Sequence, residues 1–395
     1  MDRSTQHCVN PHPRVVQVDA PLRVLHVYRT YFPDPPGGLQ EAIRQIALGC
    51  AAFGVESRIF TLSPTPEPEE IDLTEGRVTR SRSWAAPASC DLGGLHAFQS
   101  YRALSRWADV VNFHFPWPFG DLLRLTDAAN KPAILTYHSD IVRQRWLGAL
   151  YGPLMRRTLK SMSAVVATSP AYAQTSQALR EDVHASRIKV IPLGIADYGR
   201  PKEDRDAVLL GRLGLSGRPI IVALGVLRYY KGLHTLIEAA PALGADVVIA
   251  GSGPELDRLQ ALAAAHGARN VIFAGQVSDE EKAALLASCY AMVLPSHLRS
   301  EAFGMVLVEA AMFGKPMVCC EIGSGTSYVN LHGVTGLVVP PESPERLAAA
   351  ILELLAEPQR AARMGRAARE RYQALFSGPA LGEAYSRLYR EVAGR

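Results

Sequence analysis

Short apolar runs alternate with helix-period segments along most of this chain, and no other feature limits its fold as strongly. The first series of apolar runs covers residues 22–28, 57–61, 109–115, 132–137 and 164–167. Helix-period segments lie among them at 39–52, 95–107 and 154–160. Because strands that alternate with helices form parallel sheets covered by helices on both faces, this pattern predicts a doubly wound α/β domain.

A second series of the same kind follows a polar passage. Residues 197–205 contain Pro201 and six charged residues, and we interpret them as a linker between domains. The second series predicts strands at 219–225, 245–250, 270–274, 290–294 and 316–319, with helices at 234–243, 254–266, 279–288 and 305–313. The tail from 343 to 395 has helical periodicity, whereas 64–70 and 84–94 lack periodicity and predict loops.

Length and composition agree with two globular domains. The chain has 395 residues, of which 48% are hydrophobic, and its net charge of +4 is too small to indicate a nucleic-acid-binding protein. No apolar stretch approaches a membrane span and the N-terminus has no apolar signal region, so we expect a cytoplasmic protein. The cysteines show no paired or metal-ligand spacing, so we expect free thiols.

Two glutamates, Glu301 and Glu309, lie eight residues apart at a predicted junction between a loop and a helix. The apolar run 290–294 predicts a buried strand, Pro295 ends it, and 304–314 carries helix-period apolar residues. The N-terminus of such a helix attracts a diphosphate, and the carboxylates can accept hydrogen bonds from sugar and ribose hydroxyls. Solvated helical glutamates often have the same spacing, so the spacing alone leaves both interpretations open.

Loops with glycine follow several of the predicted strands. Gly37 and Gly38 follow the first strand and precede a helix, which suits either a close backbone approach to a ligand or a plain tight turn. Gly253 lies in the loop after one strand of the second series, and Gln276 and Val277 lie after the next. Each loop is weak evidence when taken alone.

Cations and histidines also lie near strand ends. Arg228 and Lys231 follow the first strand of the second series, where they suit either a diphosphate leaving group or plain solubility. His138 follows a strand of the first series, although a lone histidine more often has a structural role. His114 ends the neighbouring strand among aromatic residues, and it either lines an acceptor channel or simply packs.

Taken together, these motifs resemble those of the retaining glycosyltransferases of family 4. Residues 296–314 are similar to the family's Glu-x7-Glu signature, and the motifs follow the family's order from Gly37 to Gly336. The strings at 229–233 and 325–330 are most similar to bacterial enzymes that use GDP-mannose or GDP-D-rhamnose in O-polysaccharide (A-band common polysaccharide) assembly. The family has an arginine where this chain has Val226, and we expect Arg228, on the same face of an extended chain, to replace it.

The resemblance implies the GT-B fold, in which two Rossmann-like domains face each other across a cleft. It implies an acceptor-binding domain at 1–200, a nucleotide-sugar-binding domain at 201–372, and a C-terminal helix at 373–395 that returns to the first domain. It implies catalytic roles for His138, Arg228, Lys231 and Glu301. It also implies donor binding by Gly37, Gly38, Gly253, Gln276, Val277, Phe303, Gly304, Met305 and Glu309.

The implied reaction is transfer of a mannosyl or D-rhamnosyl residue, with retention, from a GDP-sugar to a polyprenyl-diphosphate-linked saccharide in lipopolysaccharide O-antigen synthesis. The acceptor would be a lipid-diphosphate N-acetylglucosamine or the growing polysaccharide. No Asp-x-Asp metal site is apparent in the sequence, so we expect neither a metal nor another cofactor. The basic, aromatic-bearing stretch 143–160 predicts either peripheral docking on the cytoplasmic face of the inner membrane or an ordinary surface helix.

Two other functions fit the same pattern. A sugar-nucleotide 2-epimerase shares the two-domain architecture, but such enzymes lack the Glu-x7-Glu segment in this context. An inactive nucleotide-sugar-binding scaffold is the other alternative, and Val226 in place of the family arginine favours it.

Overall fold

The structure is a computed structural model that describes residues 20–34, 37–87, 90–140, 145–199, 211–215 and 217–395, with the backbone alone described at 145–150. Most of the predicted linker, from residue 200 onward, lies outside the described residues. Within them, the chain forms two separate sheets, one before the linker and one after it. The two strand series of the sequence therefore correspond to two sheets.

The first sheet has the strand order β3-β4-β2-β1-β6-β7-β8-β9, with β5 paired to β4. Its strands are β1 (Leu22–Val27), β2 (Val55–Ser63), β3 (Glu70–Leu73), β4 (Gly76–Ala85), β5 (Leu92–Gly93), β6 (Val110–Phe115), β7 (Ala133–Tyr137), β8 (Ala164–Ala167) and β9 (Ile188–Val190). The helices that accompany it are α1 (Gly38–Ala51), α2 (Leu95–Trp107), α3 (Pro118–Leu125), α4 (Arg145–Ser161), α5 (Pro170–Thr175) and α6 (Gln177–Asp182). β3 and β5 pair antiparallel with β4, and the remaining pairings are parallel.

The edge of this sheet corrects the loop predictions at 64–70 and 84–94. β3 begins at Glu70, β4 continues through Trp84, and β5 lies inside the second predicted loop. β4 is rich in arginine, and Arg80 points into the protein with only 3% of its surface exposed. It donates to Asp34 and Ser63 at 3.3 and 2.8 Å. A buried ion pair therefore stands where the sequence pattern of a strand would have an inward-facing apolar residue.

The second sheet is wholly parallel, with the order β12-β11-β10-β13-β14-β15. Its strands are β10 (Ile220–Leu224), β11 (Asp246–Ala250), β12 (Val271–Gly275), β13 (Ala291–Leu294), β14 (Met317–Cys320) and β15 (Gly336–Val339). Its helices are α7 (Leu233–Ala239), α8 (Leu256–Ala265), α9 (Asp279–Ser288), α10 (Met305–Met312), α11 (Thr326–Val329), α12 (Pro344–Ala356) and α13 (Pro358–Arg371). The five strands predicted for the second series all form.

The last helix, α14 (Gly378–Ala393), crosses from the second domain and packs on the first, as predicted. It lies against α1 so closely that a side chain on Gly382 would come within 2.0 Å of the Gly49 carbonyl oxygen. Only glycine at this position allows the two helix backbones to meet. Tyr385 and Tyr389 of α14 are buried against β6 and β7, where they bond to Thr136 and Asn112.

Two further features follow from the described residues. No helix among them is both long enough and apolar enough to cross a membrane. The five cysteines that the structure describes carry free thiols, as expected: Cys50, Cys90, Cys289, Cys319 and Cys320.

Candidate active site

The loop after β10 brings a cation to the carboxyl edge of the second sheet. Lys231 is the last residue of a short 3-10 turn, and its side chain folds back to the end of the strand. A side chain on Gly225 would lie 3.6 Å from the Lys231 Nζ, so the glycine leaves room for the ammonium. Lys231 is buried, and a buried ammonium needs an anionic partner.

Glu301 is that partner. β13 lies beside β10, so the loops that follow the two strands meet at the same edge. The Lys231 Nζ lies 2.5 Å from the Glu301 Oε2, and the Ser296 hydroxyl donates to the same oxygen at 3.3 Å. Burial opposes the charge of Lys231, yet the Glu301 carboxylate raises the lysine pKa above its usual range. The Glu301 Oε1 has no hydrogen-bond partner among the described residues and remains available to a ligand.

Glu309 also pairs with a lysine, and it lies about one turn after the start of the helix Met305–Met312. It lies in α10, and its Oε1 accepts a hydrogen bond from the Lys282 Nζ of α9 at 2.7 Å. Burial raises the pKa of Glu309, whereas Lys282 lowers it. The charge of Glu41, in the first turn of α1, also raises the Glu309 pKa, so the first domain contributes to the environment of this carboxylate.

Residues 303–305 join the two glutamates at the start of α10. Phe303 is buried and meets the Phe376 ring edge-on at 6.1 Å. Gly304 is the N-cap residue in the left-handed conformation with φ of 86°, and Met305 is the first helical residue. The free N–H groups of α10 therefore open next to Glu301, as the sequence predicts.

Arg228 lies apart from the Lys231 and Glu301 pair. It is exposed, as is Val226, while Leu227 between them is buried, so the two exposed residues do share a face as predicted. Arg228 lines a small pocket with Tyr229 and Arg258, and it has no ion-pair partner within the described part of the chain. The structure leaves its guanidinium available to an anion but does not join it to the buried pair.

The loops after β11 and β12 are joined to each other. The Ser252 hydroxyl donates to the Gln276 side-chain oxygen at 2.9 Å, and Gln276 is exposed. Gly253 lies against the loop after β10, where a side chain would come within 2.5 Å of the Leu227 carbonyl oxygen. The side chain of Val277 packs against the core of the second domain, so only the backbone of this residue is left for a ligand.

On the first domain, the predicted residues lie at the start of α1 and the end of β7. Gly37 is the N-cap residue of α1, and Gly38 is its first residue. His138 follows β7, is 4% exposed, and has its Nε2 hydrogen-bonded to the Nδ1 of His114 at 3.0 Å. His114 is 2% exposed, so of the two alternatives for this residue the structure supports packing.

The two halves of the site are in contact. Arg299, two residues before Glu301, lies 3.3 Å from Asp140, two residues after His138. Arg299 also donates to the Gly323 carbonyl oxygen at 2.9 Å, and Ala302 packs against the core of the first domain. The loop after β13 and the loop after β7 are therefore in direct contact.

Comparison with known proteins identifies the family. The profile of Glycosyltransferase Family 4 matches residues 36–197, and that of Glycosyl transferases group 1 matches residues 211–371. The D-rhamnosyltransferase WbpZ of Pseudomonas aeruginosa is 47% identical over 90% of this chain and 92% of its own. This chain belongs to glycosyltransferase family 4. The O-antigen chain mannosyltransferase C of Escherichia coli is 38% identical over 93% of this chain and 98% of its own.

Solved structures of other glycosyltransferases share the fold. Sucrose-phosphate synthase from Thermosynechococcus elongatus matches 94% of this transferase and 99% of its own chain, with a TM-score of 0.76 and 23% identity. Anabaena HepE in complex with UDP matches 94% of this chain and all of its own, with a TM-score of 0.76 and 19% identity. The predicted GT-B fold is confirmed.

Family membership confirms that the chain is a glycosyltransferase, while the roles of single residues stay predictions. The sequence missed Lys282, Asp140 and Arg299, which the fold brings to the site from separate elements. Arg299 and Asp140 lie close to motif residues in the sequence, but no pattern of charge or spacing singles out any of the three. His26 was also missed, although a histidine inside the apolar run 22–28 is an unusual choice for a buried strand and was a signal that could have been used.

Proposed function

We propose that this transferase moves a mannosyl or D-rhamnosyl residue, with retention, from a GDP-sugar to a polyprenyl-diphosphate-linked saccharide in O-antigen synthesis. The observation that carries the proposal is the buried pair of Lys231 and Glu301 beside the N-terminus of α10. It combines a cation for a diphosphate with a carboxylate for sugar hydroxyls. The names of the two relatives, a D-rhamnosyltransferase and an O-antigen mannosyltransferase, supply the class of donor and pathway.

The two glutamates offer carboxylate oxygens to the transferred sugar and to the ribose of the donor. Glu301 has one oxygen held by Lys231 and the other without a described partner, so it can orient the transferred sugar. Glu309 has one oxygen held by Lys282, and its other oxygen can accept from the ribose hydroxyls. Each lysine therefore occupies one oxygen of its glutamate and leaves the other oxygen for the donor.

The chemical step is a front-face substitution at the anomeric carbon of the donor. The bond between that carbon and the diphosphate oxygen breaks, and a bond to the acceptor oxygen forms on the same face. The departing diphosphate oxygen takes the proton of the acceptor hydroxyl. Lys231, Arg228 and the N–H groups at the start of α10 stabilise the charge that develops on the diphosphate, and this electrostatic stabilisation needs no metal or other cofactor.

We further propose that the enzyme docks peripherally on the membrane that carries its acceptor. Arg156, Arg157 and Lys160 of α4 are exposed on the first domain. The rest of the basic stretch, at 143–150, has no described side chains. A flotation assay with vesicles of phosphatidylglycerol and phosphatidylcholine tests docking, and a triple change of these cations to glutamine should reduce binding. Equal flotation of the triple variant and the wild type would exclude this helix as the docking element.

The test of the main proposal is transfer by the purified protein from GDP-mannose, GDP-D-rhamnose and UDP-N-acetylglucosamine onto a short-lipid diphosphate N-acetylglucosamine, with EDTA present. Mass spectrometry should show one added hexose or deoxyhexose from a GDP donor only. Free epimerised sugar without transfer would indicate the epimerase alternative. A Glu301→Ala variant that still supports polymer in vivo, when deletion does not, would indicate the scaffold alternative.

A further inference from the structure

Three histidines lie on one face of the first sheet, two of them in neighbouring strands and the third directly after the next strand. His26 in β1 is in register with Asn112 in β6, and His114 in β6 is in register with Thr136 in β7. Residues two apart in a strand share a face, so His26, His114 and His138 form a diagonal row that ends just after the carboxyl end of β7. All three are buried, with exposed fractions of 0, 2 and 4%.

The three rings are joined in a chain of hydrogen bonds. The Nδ1 of His26 lies 3.2 Å from the Nε2 of His114, and the Nδ1 of His114 lies 3.0 Å from the Nε2 of His138. The ring planes of the two pairs are inclined by 25° and 23°, with centroids 5.4 and 5.3 Å apart, so the rings meet edge to edge. Each ring is therefore fixed by its neighbour, and the chain ends at His138.

The histidines in this row are neutral. Burial lowers the pKa of His26 to about 3 and that of His138 to about 4, and burial together with the two neighbouring rings lowers that of His114 well below its usual range. A neutral imidazole has one N–H donor and one nitrogen acceptor. Each hydrogen bond needs one of each, so the three tautomers are coupled: all N–H groups point either towards His138 or towards His26.

The surroundings of His26, at the end of the row away from His138, favour one of these two directions of the N–H groups. The Nε2 of His26 is buried and has no partner in the described part of the chain. If the N–H groups pointed towards His26, this nitrogen would carry a buried donor without an acceptor, which proteins avoid more strictly than an unpaired acceptor. The opposite direction leaves only a lone pair unsatisfied. His114 then donates to the His138 Nε2, and the His138 proton lies on Nδ1.

We propose that His114 and His26 are positioning residues that hold His138 in the Nδ1–H tautomer, so that its Nδ1 donates a hydrogen bond to an oxygen of the bound sugar substrates. This proposal rests on the proposed role of His138 in transfer. The Nδ1 has no hydrogen-bond partner among the described residues, so it is the nitrogen left for a ligand. Because the row is neutral and enclosed, the donor is present across the working pH range.

The test combines the tautomer of His138 with transfer kinetics. In protein labelled with ¹⁵N-histidine, a spectrum that correlates ring nitrogens with ring carbon-bound protons distinguishes the two tautomers, and a His138→Asn variant assigns the signal. The wild type should show His138 as Nδ1–H. His114→Phe should shift His138 towards Nε2–H and lower kcat about tenfold, with the donor KM little changed.

Two matched variants separate positioning from loss of structure. His114→Gln, whose amide can both donate and accept, should restore the tautomer and most of kcat. Tyr385→Phe removes a hydrogen bond to Thr136 in the same buried layer without touching His138, and it should leave the tautomer and kcat unchanged.

An Nε2–H signal for His138 in the wild type, or an unchanged signal in His114→Phe, would overturn the proposal. Full activity of His138→Ala would overturn it as well, because there would be no role to support. If the wild type transfers no sugar from any of the three donors, the proposed function fails, while the spectra still decide the tautomer.

Discussion

The carboxylate of Asp140 and the guanidinium of Arg299 lie 3.3 Å apart and join the loop after β7 to the loop after β13. The contact joins the two domains, and its partners lie two residues from His138 and from Glu301 in the sequence. Arg299 also lies over the Tyr172 ring, with 5.3 Å between its guanidinium carbon and the ring centroid. This one side chain therefore contacts an anion and an aromatic ring of the first domain.

Arg299→Gln should weaken the contact between the two domains and lower kcat/KM. Both side chains are about a third exposed or less, so we expect a loss of about 1 kcal/mol, which corresponds to a fall of about fivefold. In the absence of donor, solution scattering should give a larger radius of gyration for the variant than for the wild type. Lys189→Gln removes an ion pair to Glu391 that lies within the first domain and its packed helix, and it serves as the control. Equal effects of the two changes would contradict a role of Arg299 in holding the two domains together.

Lys231→Met should reduce both stability and activity, because it leaves the Glu301 carboxylate buried without its cation. The expected loss of folding free energy is about 3 kcal/mol, and kcat should fall about a hundredfold or more. The double variant Lys231→Met with Glu301→Gln removes both charges, so thermal unfolding should return close to the wild type while transfer stays low. Recovery of transfer together with stability would show that the pair serves only the fold.

Gly38→Ala should separate ligand approach from folding at the start of α1. A side chain on Gly38 would have no atom within 4 Å, and the residue is helical, so the fold should gain about 0.5 kcal/mol. If the donor or acceptor passes this backbone closely, the methyl group should lower kcat/KM about tenfold or more. Gly244→Ala, which also meets no atom within 4 Å, is the control. Unchanged kinetics in Gly38→Ala would remove Gly38 from the site.

The sequence predicted the parts of the site that lie at strand ends. Lys231 and Glu301 follow β10 and β13, which are adjacent parallel strands, so the carboxyl ends of those strands had to bring the two loops together. A pattern of apolar runs, with the residues that follow each run, was therefore enough to place Lys231 and Glu301 at the carboxyl edge of the second sheet.

Contacts between distant elements were not predictable in the same way. Lys282 is one of several charged residues on α9, and only the packing of α9 against α10 selects it as the partner of Glu309. The pair of Asp140 and Arg299 depends on how two domains meet, which periodicity does not encode. β4 was missed because Arg80 occupies an inward position and finds its partner, Asp34, in the loop after β1.

Transfer should weaken on the acid side of its pH profile because Glu309 becomes protonated. This acid limb should lie at a higher pH than an exposed glutamate would give. Burial raises its pKa, and the neighbouring charges of Lys282, Asp279 and Glu41 modify the shift. The ionised form is needed to accept from ribose hydroxyls, so the donor KM should rise as the pH falls through this raised pKa. Because the folded protein holds the proton more tightly than the unfolded chain, protonation of Glu309 stabilises the fold, and the effect on KM should not be accompanied by a fall in Tm from this group.

Glu309→Gln tests this assignment. It should raise the donor KM about tenfold at neutral pH and remove the acid limb, because the amide does not titrate. If the 2′-hydroxyl of the donor ribose bonds to the Glu309 carboxylate, each change removes the same hydrogen bond. A donor with a 2′-deoxyribose should therefore have little further increase in KM with the variant. An acid limb that persists unchanged in Glu309→Gln would assign the titration to another group and leave Glu309 as a structural partner of Lys282.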